Sequence, residues 1–425
     1  MGTEAHSTVK YSTDELMEVV DLFQVSAAAQ ARIRDILEAE ATPPDAGNFF
    51  RYYNPRSKVE QFERLVESTV SVKHALAVNS GTSALIAALV AAGVGPGDEV
   101  IVPAYTFFAS VSAVVVAKAI PVIVEIDETL TLDPAAVEAA ITPRTKAIMT
   151  VHMLGLPSKM DELLAVARKH DLLLIEDTAQ AFGGTYKGKY LGTIGDVGCV
   201  SLDAYKVIGT GEGGLVLTDN DWLHTRAQSY HDTAACWRPD RYARERQAGE
   251  LFCGENYRMP ELCAAVGLAQ LRRLDWVNTR TRAAWTRIRE ETRLPACATW
   301  VAANDDKGVC GYTLGILFET AGQAARAVQA KIGLGGLAAG DTRGVRNWHV
   351  YWCWDHIMEK KSATAEGCPF TCPHVTRLPE YHPDMCPTTR DIISRLVTLG
   401  IGVAMTDEAA AARAARLTAD LAARF

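Results

Sequence analysis

The sequence predicts an α/β protein built on a mostly parallel sheet, and three observations predict it. Seven short apolar runs follow one another between residues 75 and 217, each of strand length and without polar alternation. Helical stretches separate several of them. Chemically distinctive residues fall where runs end, which is where open α/β sheets hold their ligands. The runs are Ala75 to Val78, Val100 to Val102, Val122 to Ile126, Ala147 to Val151, Leu172 to Ile175, Gly198 to Leu202 and Leu215 to Leu217. A strand with no polar face must be covered on both sides, and crossover helices supply the covers.

Taken in order, residues 1–50 read as a helical arm. Ser12 and Glu15 form a capping-box pattern ahead of Leu16, Val19, Val20 and Phe23 at helical spacing. The pattern ends near Glu40, before the breaker Thr42-Pro43-Pro44-Asp45. A second capping pair, Ser57 and Glu60, opens a helix with Val59, Phe62, Leu65 and Val66 on one face. Within the sheet region, helices are expected to start near Ser83, Asp133 and Lys159. Beyond Pro260 comes a helix through Leu274, then a helical connector around Trp276 to Arg293. Strand-like Tyr312 to Phe318, a helix over Ala321 to Ile332 and a final helix from Thr406 suggest a smaller α+β unit. The expected division is an arm (1–50), a large domain (51–280) and a small domain (281–425).

Composition narrows the function classes. Of 425 residues, 48% are hydrophobic and 22% charged, which suits a globular chain. No apolar segment approaches the roughly 20 residues of a spanning helix. Met1 to Tyr11 lack the apolar core of a signal peptide, so a cytoplasmic location is expected. The 43 basic residues against 51 acidic ones leave a charge of −8 with no basic run, so nucleic acid and anionic membrane are poor partners and a small molecule is the better one. Ten cysteines are scattered from Cys199 onward, neither as a disulfide framework nor at zinc spacing, and most read as buried or idle thiols. Cys368 and Cys372, beside Pro369 and Pro373, are expected to flank a loop.

Four features carry chemistry. Asn79-Ser80-Gly81-Thr82-Ser83 follows a strand and opens a helix, and such hydroxyls with free N–H groups can cradle a phosphate. The same residues could equally be an ordinary N-cap. Ile175-Glu176-Asp177 ends a strand in two carboxylates, one of which could pair with a buried cation or bind a metal, or simply cap a helix. Ser201 to Lys206 precedes Gly209-Thr210-Gly211-Glu212-Gly213-Gly214. Those glycines match a dinucleotide fingerprint formally, but a strand follows instead of the required helix. A lysine between a strand and a Gly-rich turn is better suited to a Schiff base, although a solvated lysine is the bland alternative. Asn256-Tyr257-Arg258-Met259 says little alone.

Together, the ordered set Val78 to Leu85, Pro96 to Pro103 with Thr106-Phe107, Ile175-Glu176-Asp177, Lys206 with Gly211 to Gly214, and Asn256 to Met259 resembles the DegT/StrS family of sugar and cyclitol aminotransferases. The resemblance runs from about Tyr53 to Asp275, with a weaker tail. It implies the fold-type I architecture and pyridoxal 5'-phosphate as cofactor, held as an internal aldimine on Lys206. It further implies that Asp177 pairs with the pyridine nitrogen, that Phe107 stacks on the ring and that Gln180 sits near the phenolic oxygen. Ser80, Gly81, Thr82 and Ser201 would hold the phosphate, and Asn256 would reach it from the neighbouring subunit of a homodimer. Glutamate or glutamine would be the donor, and a keto sugar or keto cyclitol the acceptor.

Departures from the family pattern are few. Leu202 stands where many members have Phe, a change of packing. Retention of Lys206 argues against the relatives that carry His there and use pyridoxamine for dehydration. The aromatic-rich stretch Trp348 to His356 is read as a pocket wall, with His349 and nearby Arg343 and Arg346 as candidate substrate contacts. A metal held by His349, Cys353 and His356 is the weaker reading of that stretch, since no supporting carboxylate pattern is evident. Two rivals stay open: the same cofactor serving elimination, decarboxylation or oxidation, and a regulatory protein that binds ligand without turnover.

Overall fold

The computed structural model describes residues 13–40, 57–234, 244–330, 335–336, 347–365 and 367–425. Two short helices open it, α1 (Thr13–Asp21) and α2 (Ala27–Ala39), in place of the single helix expected. The break lies at Gln24, whose φ of 52° is left-handed, after which the Ser26 hydroxyl accepts from the Ala29 N–H at 3.3 Å and starts a new helix. Ser12 of the expected capping box lies outside the described residues. Ser57 does cap α3 (Lys58–Val70), accepting from the Glu60 N–H at 3.2 Å.

Each of the seven apolar runs is a strand of one sheet. Its members are β1 (His74–Val78), β2 (Glu99–Pro103), β3 (Ile120–Val124), β4 (Thr145–Val151), β5 (Leu173–Asp177), β8 (Val197–Ser201) and β9 (Gly214–Thr218). A small hairpin, β6 (Thr185–Tyr186) and β7 (Lys189–Tyr190), lies outside it. The spatial order is β1-β9-β8-β5-β4-β2-β3, and β9 alone runs antiparallel to its neighbours. Alternate side chains enter opposite cores: Val100, Met149 and Ile175 pack on one face, and Ile101, Ile148 and Leu174 on the other. The first face is covered by α4 (Gly81–Ala91) and α5 (Phe108–Val116), the second by α6 (Pro134–Ala140) and α7 (Met160–Lys169). Helix α5 was not among those expected, because Phe108 to Val116 is mostly apolar and rich in valine, a composition that favours strands.

Beyond α8 (Asp221–His231) and α9 (Glu261–Leu271), the helix α10 (Leu274–Glu291) runs through residue 280 without a break. A second sheet follows, antiparallel, in the order β10 (Ala298–Trp300), β11 (Thr313–Phe318), β13 (Leu396–Gly400), β12 (Gly335–Gly336). It packs with α10, α11 (Ala321–Gln329), α13 (Pro387–Arg395) and α14 (Asp407–Ala422). Ile332, the expected end of α11, lies outside the described residues. The intervening segment returns to the first sheet: Tyr351, Trp354 and Ile357, which flank α12 (Asp355–Met358) or lie in it, bury in the core that holds Val100 and Ile175, as do Phe370 and Tyr381. Cys368 and Cys372 are joined in a disulfide with Cα atoms 4.7 Å apart, so these two are not idle thiols. A spacing of four residues alone could not reveal the bond. Among the described residues no helix is long and apolar enough to cross a membrane.

Candidate active site

The register of the first sheet aligns the site. Gly214 faces Val78 on one side and Ser201 on the other, while Asp177 faces Cys199 and Val151. The strand ends of β1, β8, β5 and β4 therefore share one edge, and the loops that follow them converge on one cavity of about 570 Å³.

At one end of the cavity stands the N-terminus of α4. Ser80 caps the helix, accepting from the Ser83 N–H at 3.0 Å, and Ser83 donates to the Asn79 side chain at 2.6 Å. The N-cap reading is thus realised, and it leaves the turn free to serve as a cradle. Ser80 uses its hydroxyl oxygen on the helix, while the first-turn N–H groups of Gly81 and Thr82 have no acceptor within the helix. Gly81 lies so close to Ser201 that a Cβ at 81 would sit 2.6 Å from the Ser201 Cβ. Gly214 is equally constrained, since its Cβ would meet the Ser80 carbonyl oxygen at 2.4 Å. The Gly-rich stretch is therefore a packing device behind the cradle.

The two carboxylates of β5 point opposite ways and do different things. Glu176 is fully buried and accepts from the N–H groups of Gly192 (2.9 Å), Ile194 (2.7 Å) and Gly195 (2.6 Å), and from His152 Nε2 at 3.1 Å. The Ser158 N–H donates to His152 Nδ1, so the ring proton sits on Nε2. Asp177 faces the cavity. Its Oδ1 accepts from the Ala179 N–H at 3.0 Å and its Oδ2 from the Ser110 hydroxyl at 2.8 Å. Burial raises its pKa above the ordinary carboxyl value, against the pull of these donors and of the Lys206 charge.

Lys206 lies on the loop between β8 and β9. The legs of that loop are tied by Leu202 N–H to Gly213 O and Thr210 N–H to Leu202 O, both 2.8 Å, and a turn places the Lys206 N–H on Asp203 O at 3.0 Å. Lys206 itself is half-buried and lines the cavity, whereas its neighbour Tyr205 is 95% exposed. Leu202 is wholly buried, in keeping with a packing role.

The remaining walls come from two more segments. Phe107, half exposed, precedes α5 and lies 5.3 Å from the His349 ring, centroid to centroid. Residues 349–351 attach along the chain after β2: the Thr106 N–H donates to His349 O and the Tyr351 N–H to Ala104 O. His349 thereby reaches the cavity, and burial together with the Lys206 charge lowers its pKa, which favours the neutral ring. Gln180 accepts at Oε1 from the Leu154 N–H (3.0 Å) and the Tyr312 hydroxyl (3.3 Å), so its donor end is left for the cavity.

Of the expected site residues, Ser80, Gly81, Thr82, Phe107, Asp177, Gln180, Ser201, Lys206 and His349 all line this one cavity. Asn256 does not; it is exposed, on a segment that pairs with the end of β1 through Arg258 and Val78. Arg343 and Arg346 lie outside the described residues. Trp354 is buried in the core instead of walling the pocket, and the His356 ring packs against Phe108 and Trp348. Among the described residues no group of three His, Cys, Asp or Glu side chains is placed to hold a metal ion. Sequence reasoning missed Ser110 and Tyr312; the available signal for Ser110 was a hydroxyl four positions after Thr106, one helical turn on, in a mostly apolar segment.

Comparison with known proteins agrees with this geometry. The profile of the DegT/DnrJ/EryC1/StrS aminotransferase family matches residues 48–332, a span that ends before His349. The chain is 47% identical over 223 residues to a GDP-perosamine synthase of Caulobacter vibrioides, covering 51% of this chain and 57% of that protein. It is 42% identical over 236 residues to an L-glutamine:2-deoxy-scyllo-inosose aminotransferase of Streptoalloteichus tenebrarius, covering 54% and 55%. These matches span little more than half the length of either relative. Among solved structures, 3-amino-5-hydroxybenzoic acid synthase superposes with a TM-score of 0.70 at 28% identity over 89% of this chain and 94% of that one. DesV of S. venezuelae, solved with a ketimine intermediate, gives 0.68 at 28% identity over 92% and 96%. The chain belongs to the DegT/DnrJ/EryC1/StrS aminotransferase family.

Proposed function

We propose that this protein is a pyridoxal phosphate-dependent aminotransferase that moves an amino group from glutamate or glutamine to a keto sugar or keto cyclitol. The observation that carries this reading is the convergence, in one cavity, of the α4 cradle, the buried carboxyl of Asp177 and the amine of Lys206. The residues suit the cofactor group by group. The N–H groups of Gly81 and Thr82, with the Ser80, Thr82 and Ser201 hydroxyls, offer a phosphate site without a lysine or arginine, and only glycine fits at 81. Asp177 offers a buried acceptor for a protonated ring nitrogen, and Phe107 an apolar face for the ring.

When bound, pyridoxal phosphate supplies an aldehyde and a ring that draws in electrons. The protein supplies the rest. Lys206 Nζ holds the cofactor and is the base that takes and returns the proton at the carbon bearing nitrogen. Asp177 fixes the ring's charge, and Gln180 donates toward its oxygen substituent. His349, neutral, faces the open side as a contact for the acceptor. The exposed positions of Tyr205 beside the site and of Asn256 support a homodimer in which each subunit completes the other's cavity. Residues 51–280 form the cofactor-binding domain in this reading, and 281–425 the smaller domain, whose 348–386 segment is packed back on the larger one.

The test is direct. Protein loaded with pyridoxal phosphate and reduced with borohydride should carry the cofactor on the peptide containing Lys206, and Lys206→Ala should carry none. Glutamate or glutamine should then convert the loaded cofactor to its pyridoxamine form, and a keto cyclitol or keto sugar should restore it. If neither donor converts it, the reaction is a different one on the same cofactor.

A further inference from the structure

Asp177 is the end of a buried chain of hydroxyls. Ser110 Oγ lies 2.8 Å from Asp177 Oδ2, and Thr106 Oγ1 lies 2.7 Å from Ser110 Oγ. The far side of Thr106 meets the Phe107 carbonyl oxygen, in a longer contact of 3.4 Å. Thr106 and Ser110 are buried in the cavity wall, at 0% and 1% exposure, and among the described residues their hydroxyls have each other and these two termini as partners. The chain has an acceptor at each end, and each hydroxyl carries one proton.

That arrangement can be filled in two ways. With Asp177 ionised, Thr106 donates to Ser110 and Ser110 donates to Oδ2. With Asp177 protonated on Oδ2, the acid donates to Ser110, Ser110 to Thr106, and Thr106 to the Phe107 carbonyl. Both hydroxyls donate once in either state, and no proton crosses between them; they only rotate. The proton that neutralises Asp177 enters and leaves from the cavity side. We propose that Thr106 and Ser110 are positioning residues that form a reversible relay, letting Asp177 change protonation state in place: a neutral acid when the cavity lacks a cation, a carboxylate when a cationic ring nitrogen is bound.

The groups around Asp177 leave this job to the relay. Lys206, on the loop after β8, favours the ionised form, while burial favours the neutral one; His152, after β4, accepts at Nδ1 and is held as the neutral ring. Cys199 on β8 is a buried thiol held well above its ordinary pKa, so it contributes no charge of its own. Glu176 on β5 is occupied on the opposite face by its four donors. Among the described residues, only the Ala179 N–H and the Ser110 hydroxyl hydrogen-bond the Asp177 carboxyl oxygens, and an N–H cannot reverse.

The two hydroxyls make opposite predictions, which a packing role would not. Ser110→Ala removes the donor that stabilises the carboxylate, so the Asp177 midpoint should rise by about one pH unit. Thr106→Val keeps that donor but leaves the reversed chain without an acceptor for the Ser110 proton, so the midpoint should fall. Ser110→Thr and Thr106→Ser keep both hydroxyls and should stay within a few tenths of wild type. The measurement is the protonated-carboxyl infrared band of cofactor-free protein as a function of pH, assigned by its loss in Asp177→Asn. Midpoints that move the same way in Ser110→Ala and Thr106→Val, or that do not move, overturn the relay. The reading of Asp177 as partner of a ring nitrogen rests on the proposed function, but the titration needs no cofactor. Opposite shifts in a protein that cannot be loaded with pyridoxal phosphate would uphold the relay and sink the cofactor instead. Where Thr106→Val prevents folding, Thr106→Ala removes the same acceptor, and where Ser110→Ala does, Ser110→Cys puts a weak donor in its place, so that both signs are read.

Discussion

Gly81 and Ser201, 120 positions apart in the chain, stand in such close contact that a methyl group at 81 would overlap the Ser201 side chain. The contact joins the start of α4 to the end of β8 and leaves the Ser201 hydroxyl beside the first-turn N–H groups. Gly81→Ala is therefore expected to displace Ser201 and open the cradle. Affinity for pyridoxal phosphate should fall at least ten-fold, read from the absorbance of the loaded protein. Stability should drop by about 1–3 kcal/mol in urea unfolding, as for overpacked cores.

Glu176 organises the loop at 192–195 through three backbone N–H groups and locks His152 beside it. Glu176→Gln replaces an all-acceptor group with one that carries two donors among donors. The expected cost is about 2–4 kcal/mol, measured by denaturant unfolding. Hydrogen exchange at Gly192, Ile194 and Gly195 should accelerate first.

How much of this was legible in the sequence depended on distance along the chain. Parallel strands buried on both faces must be apolar, so the seven runs announced the sheet, and residues just past their ends announced the site. The valine-rich α5 was hidden because its composition suits a strand and its apolar residues fall on every side of the helix, which blurs helical periodicity. The split between Glu176 and Asp177 was hidden too, since adjacent residues of a strand face opposite ways whatever their identity. The Tyr312 contact with Gln180 joins segments 132 residues apart, and nothing local marks it.

That contact has its own consequence. Tyr312→Phe removes one of two donors that orient the Gln180 amide, leaving the Leu154 N–H in place. Cofactor affinity should fall about three-fold with little change in melting temperature, and Gln180→Ala should lose more. Fluorescence titration of the two variants side by side checks the order.

Part of the acid sensitivity should trace to His231, alongside His224, whose pKa burial lowers to about 3. His231 is buried, and burial holds its pKa down at about 4, while Nδ1 donates to the Gln228 carbonyl at 2.7 Å. The unfolded chain has an ordinary histidine near pH 6.5 and takes up a proton that the folded one refuses. Stability is thus complete above about pH 6.5 and declines as pH falls toward 4, by on the order of 3 kcal/mol from this group. His231→Gln should make that limb of the stability profile shallower in urea midpoints taken between pH 4 and 7, with His224 supplying the slope that remains.

The attachment of residues 349–351 to the chain after β2 is made by main-chain hydrogen bonds, from Thr106 N–H to His349 O and from Tyr351 N–H to Ala104 O. Such bonds are indifferent to which side chain position 349 carries. The wall at 349 is therefore hung on the scaffold by a clasp that does not read its own cargo. Under the proposed function, substitutions at 349 should change which ketone is accepted while Ser80, Asp177 and Lys206 remain where they are.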